Sequence, residues 1–364
     1  MPTLVAYISG HGFGHASRTV EVLAALAARA PALRLVVRSQ AAPWLVAHTA
    51  PRSVTVQQVA VDTGAVQFDS LTLDIRDTVR QADRFMAAFA DRLAVEVQAL
   101  RSHDATLVVA DIPALGVAAA RAAGVPAVML GNFTWDWIYA AYPGGSALAA
   151  AIGEIYAKAD LALRLPLSGG FDTCPHIIDL PFIARRSRRD AVEVRQAFAL
   201  PTDERLVLVS FGGFGVHGLD LDALGRLDGY RVIVTGRNPT PPATGLAGGV
   251  IHLDEMEMYA RGYRYEDLVR AVDVVATKPG YGIIAEAIAN QTALLYTSRG
   301  HFAEYDVLVG GMPRYLRVQF IGQEDLLAGG WQPHLDALMA QPPPPERPRV
   351  DGAEVAANLL LRMM

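Results

Sequence analysis

Ser9-Gly10-His11-Gly12-Phe13-Gly14-His15-Ala16-Ser17-Arg18 follows the short apolar run 4–8 and opens directly into the Ala/Leu-rich stretch 19–28. A strand that turns through glycines into a helix leaves few arrangements open, and it points backbone N–H groups at the mouth of the turn, where an anion is held well. The pattern recurs far downstream, where residues 272–277 run through Lys278-Pro279-Gly280-Tyr281-Gly282 into a helix carrying Glu286. A third glycine turn, Ser210-Phe211-Gly212-Gly213-Phe214-Gly215, closes the apolar run 206–210. Turns of this kind belong at the carboxyl ends of parallel strands, so the chain reads as two similarly built halves facing one cleft.

Between these turns, strand-like runs alternate with longer helical ones. In the first half the runs are 4–8, 33–37, 54–59, 107–110, 127–130 and 161–165; in the second they are 206–210, 231–235, 250–253, 272–276 and 293–296. Such alternation predicts parallel sheets with helices on both faces. The expected fold class is α/β, with two doubly wound Rossmann-like domains, residues 1–182 and 183–364, and a hinge near Leu180-Pro181-Phe182. The stretch 77–100 carries Phe85, Phe89, Leu93 and Val97 at helical spacing, which predicts one helix with that stripe in the core. Pro342 to Pro345 read as a semi-rigid spacer. Residues 350–364 read as a last amphipathic helix, with Val355, Leu359 and Met363 on the face expected to pack back on the first domain.

At 364 residues, two domains of ordinary size each bury a core without staples. The lone Cys174 cannot pair within the chain and reads as a bland loop residue; with no signal-like stretch at Met1-Pro2-Thr3, a reducing cytoplasm is expected. A net charge of −5 argues against a general nucleic-acid binder. The basic run Arg185-Arg186-Ser187-Arg188-Arg189 is expected to be a solvated linker and helix start rather than a membrane or anion contact. The uncharged windows are broken, as at Pro143-Gly144-Gly145, and fall short of the roughly 20 apolar residues a spanning helix needs, so a soluble protein is expected.

The first glycine loop is a poor dinucleotide fingerprint, because the third glycine of G-x-G-x-x-G would fall at His15. The next strand ends in Arg38-Ser39-Gln40 rather than in an acidic residue for a ribose 2′-hydroxyl, which disfavours NAD and leaves NADP only Arg38. What remains is an imidazole, His15, on the first turn of a helix, where the neutral ring suited to taking a hydroxyl proton is favoured. Asp111, at the end of the run 107–110, is expected on the same sheet edge, where it would orient the ring through its other nitrogen. His11 is assigned to loop structure. Gly212, Gly213, Gly280 and Gly282, with Gly12 and Gly14 opposite, suggest a diphosphate cradle to which Lys278 adds a full charge. Glu286 could accept hydrogen bonds from a ribose diol or stand as an exposed helix carboxylate. Residues 132–142, with Trp135, Trp137, Tyr139 and Tyr142, either shape an acceptor pocket or pack beneath the hinge. Asn132, Trp135 and Asp136 are the acceptor-side candidates there.

On these residues the chain resembles the GT-B nucleotide-sugar glycosyltransferases, particularly the bacterial lipid-intermediate N-acetylglucosaminyltransferase and the plant small-molecule glycosyltransferases, over nearly its whole length. It is more similar still to the glycosyltransferase-like N-terminal half of plant L-arabinokinases. That likeness runs through residues 10–18, Asn132-Phe133-Thr134-Trp135-Asp136-Trp137-Ile138-Tyr139 and Lys278-Pro279-Gly280-Tyr281-Gly282; it extends to no kinase half. The resemblance implies that His15 is the acceptor base and Asp111 its partner. It implies that Lys278, Gly280 and Glu286 stand at the donor signature, with Tyr281 and Gly282 beside them. Glu304 and Tyr305 would touch the donor sugar. Lys278 replaces the usual His or Arg, and Tyr305 the usual glutamine. The implied activity is metal-independent, inverting transfer of a sugar from a nucleotide diphosphate sugar, UDP-linked, to an acceptor hydroxyl, with no cofactor beyond that co-substrate. Two alternatives stay open: a nucleotide-sugar epimerase, and a non-catalytic sugar-nucleotide-binding partner of a kinase.

Overall fold

The computed structural model describes residues 1–212, 216–235, 245–247 and 249–364. The first sheet contains β1 (Thr3–Ile8), β2 (Arg34–Ser39), β3 (Val54–Gln58), β4 (Leu107–Asp111), β5 (Ala127–Phe133), β6 (Leu161–Gly169) and β7 (Ile177–Asp179). Its order is β3-β2-β1-β4-β5-β6-β7, and every pair is parallel. Strands β1, β4 and β5 are buried throughout, as continuous apolar runs must be when helices cover both faces of a parallel sheet. Strand order reverses between β1 and β4, which places a crevice beyond their carboxyl ends.

The second sheet repeats the plan with β8 (Arg205–Ser210), β9 (Tyr230–Thr235), β10 (Gly245–Ala247), β11 (Val250–Leu253), β12 (Val274–Thr277), β13 (Ala293–Tyr296) and β14 (Val318–Phe320), in the order β10-β11-β9-β8-β12-β13-β14. All pairs are parallel except β10 with β11. Here the reversal lies between β8 and β12, the strands that lead into Gly212 and Lys278. The additional strands β7, β10 and β14 are three-residue edge pieces, too short for a periodicity to register.

Two expectations about helices are corrected. Residues 77–100 do not form one helix but two, Ile75–Ala87 and Phe89–Ser102, which meet at Ala88. The aromatic stripe lies at the surface side of that junction, with Phe85 and Phe89 half-buried edge to face and Arg92 over Phe85. The last helix, Gly352–Leu361, packs on the first helix, Gly14–Arg29, but through Ala353, Ala356, Ala357 and Leu360; Val355, Leu359 and Met363 flank the contact. Small side chains allow the closer approach, and Arg29 Nε donates to Asn358 Oδ1 at 3.0 Å beside them.

The chain passes between the domains twice, side by side. Ile183 pairs antiparallel with Asp351, Phe182 N–H donates to Arg349 O at 3.1 Å, and Gly352 N–H donates to Phe182 O at 3.0 Å. A Cβ at Gly352 would lie 2.3 Å from Pro181 O, so this crossing requires glycine. Among the described residues, no helix is long and apolar enough to cross a membrane.

Candidate active site

Parallel pairing aligns Ile8 of β1 with Asp111 of β4, and Ser9 N–H donates to Asp111 O at 2.8 Å. The loop that turns after Ile8 therefore starts its helix beside the Asp111 side chain. Gly12 makes the turn in the left-handed region at φ +69°. Across the cleft, a Cβ on Gly282 would lie 3.2 Å from Gly14 Cα, so the two glycine turns touch backbone to backbone.

His15 Nδ1 lies 2.8 Å from Asp111 Oδ1. A carboxylate only accepts, so Nδ1 carries the hydrogen, and in the neutral ring it is Nε2 that holds the lone pair. Asp111 is fully buried and receives three further bonds: Arg18 Nε and Thr19 Oγ1 on Oδ2 at 2.7 and 2.6 Å, and Arg18 Nη2 on Oδ1 at 2.5 Å. Arg18 Nη2 is also 2.9 Å from the protonated ring nitrogen and gives its hydrogen to the carboxylate. Burial alone would raise the Asp111 carboxyl; the charges of Arg18 and His15, and their hydrogen bonds, hold it far below the ordinary carboxylate range.

A chain of polar contacts continues into the second domain. Arg18 Nη1 donates to Asn132 Oδ1 at 2.6 Å, Asn132 Nδ2 donates to Glu304 Oε1 at 2.7 Å, and Glu304 Oε2 pairs with Arg299 Nη1 at 3.3 Å. Arg299 Nη1 also donates to Pro279 O at 2.9 Å, in the Lys278 turn. Neither Arg18 nor Arg299 received a role from the sequence, although a signal for each was present. His15, Arg18 and Thr19 stand at i, i+3 and i+4, one helix face, and Arg299 follows the end of β13 by three residues.

Lys278 Nζ donates to Gln67 Oε1 at 3.2 Å. Burial, then the charge of Arg299, bring its ammonium down to about 7 against the opposing pull of Asp69. His11 is held neutral by burial first and by the charges of Arg299, His15 and Lys278 next. Its Nδ1 accepts Ala65 N–H at 3.1 Å and its ring stacks 5.7 Å from Phe302, a loop-holding role. Two cations thus share a confined spot beside the second glycine turn. The connection after β3 reaches this spot from the first domain: besides Gln67, Ser70 Oγ donates to Phe211 O at 2.5 Å and Leu71 joins the apolar cluster of Val207, Phe211 and Val274.

Trp135 Nε1 donates to Asp62 Oδ2 at 3.1 Å, and its ring lies 5.8 Å from His11 and 5.4 Å from Phe133, which is itself 5.5 Å from His15. Asn132 and Trp135 therefore stand with His15. Asp136 does not: it accepts from Thr173 Oγ1 at 3.1 Å and from Trp137 N–H at 2.9 Å. Tyr281 faces the linker, where its hydroxyl accepts Ile183 N–H at 3.2 Å and its ring stacks on Phe182. Glu286 is buried and holds Arg185, with Nε and Nη2 both 2.6 Å from Oε1. Arg185, expected as solvated linker, is instead 7% exposed, whereas Arg186 and Arg188 are exposed. Gly212 turns at φ +73° with no atom of the described residues within 4 Å of where its Cβ would lie, Gly213 lies outside the described residues, and Tyr305 is half-buried next to Glu304.

Arg38, all that remained for NADP, spends its fork on Glu96 at 2.5 and 2.7 Å and its third group on Gln57, deep under the first sheet. Burial first pushes the Cys174 thiol up to about 12, which leaves it inert as a nucleophile. Among the described residues, no group of three or more His, Cys, Asp or Glu could hold a metal ion.

No protein-family model matches the chain. The chain is similar to the L-arabinokinase of Arabidopsis thaliana, 30% identical over 363 residues that make up 97% of this chain and 34% of that protein. It spans about a third of that relative's length. Among solved structures, the glycotransferase of kitacinnamycin superposes with a TM-score of 0.65 at 15% identity, covering 100% of this chain and 99% of the other. The spinosyn rhamnosyltransferase SpnG complexed with thymidine diphosphate does so with 0.61 at 13%, over 100% and 96%. Phytolacca americana UGT2 complexed with UDP-2fluoro-glucose and pterostilbene gives 0.61 at 12%, over 99% and 94%. Two Rossmann-like sheets whose carboxyl-end turns face each other, together with these superpositions, show that the chain has the GT-B fold of nucleotide-sugar glycosyltransferases.

Proposed function

We propose that the protein transfers a sugar from a nucleotide diphosphate sugar, UDP-linked, to an acceptor hydroxyl with inversion. The observation that carries this reading is the buried His15–Asp111 pair, set on one glycine turn that touches a second turn bearing Lys278. In one displacement the acceptor oxygen bonds to the anomeric carbon, the bond from that carbon to the diphosphate breaks, and the acceptor proton passes to His15 Nε2. Asp111 holds the resulting imidazolium. The departing diphosphate takes the bonding electrons, and the amides at Gly280 and Gly282, with Lys278 and Arg299, hold its charge. Those two cations supply positive charge without a metal ion, so the proposed reaction is metal-independent. Asn132 and Trp135 border the acceptor side, and Glu304 the donor sugar. The likeness to structures complexed with thymidine diphosphate and with a UDP-sugar supports a pyrimidine nucleotide.

The test is product analysis after incubation with UDP-sugars, alone and with a panel of hydroxylated acceptors. A glycosylated acceptor with free UDP is the expected result. An isomerised sugar from donor alone would make the protein an epimerase. Binding without turnover across the panel would favour a sugar-nucleotide-binding module, a second reading suggested by the likeness to one third of an L-arabinokinase.

Lys278 gives a signature that needs no turnover. With its ammonium at about 7 it is mostly uncharged at pH 8, and a bound diphosphate favours the charged form. UDP binding at pH 8 is therefore expected to take up close to one proton, seen as a dependence of the calorimetric heat on buffer ionisation. The affinity falls as pH rises from 7. Lys278→Met is expected to abolish the uptake and to weaken binding by roughly ten- to a hundredfold, the worth of one charge-assisted contact.

A further inference from the structure

Arg18 has no task in the displacement just described, yet it is 3% exposed at the centre of the site. Its fork grips both oxygens of Asp111, its remaining nitrogen is pinned by Asn132 Oδ1 at 2.6 Å, and its guanidinium lies 5.3 Å from the Tyr281 ring centroid, on the second domain. A carboxylate offers about four acceptor directions. Arg18 takes two and Thr19 one, which leaves Asp111 Oδ1 a single direction, and His15 Nδ1 fills it.

We infer that Arg18 is a positioning residue: by fixing the plane of the Asp111 carboxylate it holds the His15 ring in the tautomer and orientation that leave Nε2 bare toward the cleft. Without the fork, Asp111 keeps only the Thr19 bond and the His15 bond itself and can rotate about its last torsion, so the ring loses a fixed partner. Lysine at this position would keep the charge but could not grip two oxygens in one plane. The inference rests on the proposed base role of His15 for its functional meaning, but the ring geometry can be read without any substrate.

The experiment is nitrogen NMR of the full chain with ring-labelled histidine, the His15 signals being assigned from His15→Gln. The native protein is expected to show His15 as a single tautomer with hydrogen on Nδ1. Arg18→Lys and Arg18→Met, checked for folding by near-ultraviolet circular dichroism, are expected to show His15 as a mixture of tautomers. Native-like His15 signals in folded Arg18→Lys or Arg18→Met would overturn the inference. So would an Nε2–H tautomer in the native protein, a result that stands even where a variant fails to fold. With a UDP-sugar and an acceptor that react, Arg18→Lys is further expected to lower kcat about a hundredfold while donor KM changes less than about threefold, the pattern of a misplaced group rather than a lost ligand. Absence of transfer by the native protein would count against the proposed function alone, because the tautomer result does not depend on it.

Discussion

Asp111→Asn is expected to destabilise the protein by about 3–5 kcal/mol and to cut transferase turnover by about 10²- to 10⁴-fold. The asparagine amide group must point at donors of Arg18, Thr19 or His15, and Arg18 is left buried with no charge in direct contact, only the Glu304 carboxylate beyond Asn132. Both effects come from one residue because the carboxylate is at once the counter-ion of a buried guanidinium and the anchor of the ring. His15→Gln separates them: it removes the base, with the same loss of turnover, but sacrifices only one buried hydrogen bond, about 1–3 kcal/mol. Denaturant melts and product assays on the two variants check this, and a native-like melt for Asp111→Asn would refute the counter-ion role. The sign with pH follows from the depressed Asp111 carboxyl. Its stabilising contribution is fully present above the ordinary carboxylate value of about 4 and is lost as pH falls below it toward the folded-state value.

Arg185→Met is expected to cost a similar 3–5 kcal/mol, although it lies outside the proposed chemistry. The guanidinium is the partner of Glu286 and stands 3.9 Å from Glu266, both buried; Glu266 keeps Arg264 at 2.7 Å, but among the described residues Glu286 pairs with no other cation. Burial already raises the Glu286 carboxyl, with Arg185 opposing, and removal of Arg185 raises it further. A raised carboxyl favours the folded state below its unfolded value and disfavours it above. The deficit of Arg185→Met is therefore expected to be larger at pH 8 than at pH 5. Arg185→Met combined with Glu286→Leu, which removes the orphaned charge, is expected to recover most of the loss. Chemical denaturation at the two pH values decides, and equal deficits would show that the pair is not what holds the Arg185 segment to the helix of Glu286.

The sheets were legible because buried parallel strands are continuous apolar runs, and the meeting of His15 with Asp111 was legible because both follow ends of strands that the doubly wound order makes neighbours. Glu286 shows where that logic stops. Its position on the helix after Lys278 was readable, but its partner sits 101 residues earlier in a run whose composition reads as solvated. Arg18 was hidden for a different reason: an arginine on an Ala-rich helix reads as surface until the fold supplies a buried carboxylate. The connection after β3 offered no periodicity, since its residues are fixed by single contacts to the other domain rather than by a repeating face. The stripe of Phe85, Phe89, Leu93 and Val97 had the right period, but the helix breaks at Ala88: Leu93 packs against the core, whereas Phe85 and Phe89 stay half-buried against each other.

The paired crossing at Ile183 and Asp351 bears on how substrates get in. A lone covalent tether swivels freely, whereas two antiparallel segments tied by hydrogen bonds bend about a common axis and resist twisting. A parting of the lobes is then expected to follow a single arc, like a door on two pins. A return along such an arc is expected to bring Gly14 back onto Gly282 and Asn132 back onto Glu304 in the same register, so their alignment is set by mechanics rather than searched for anew.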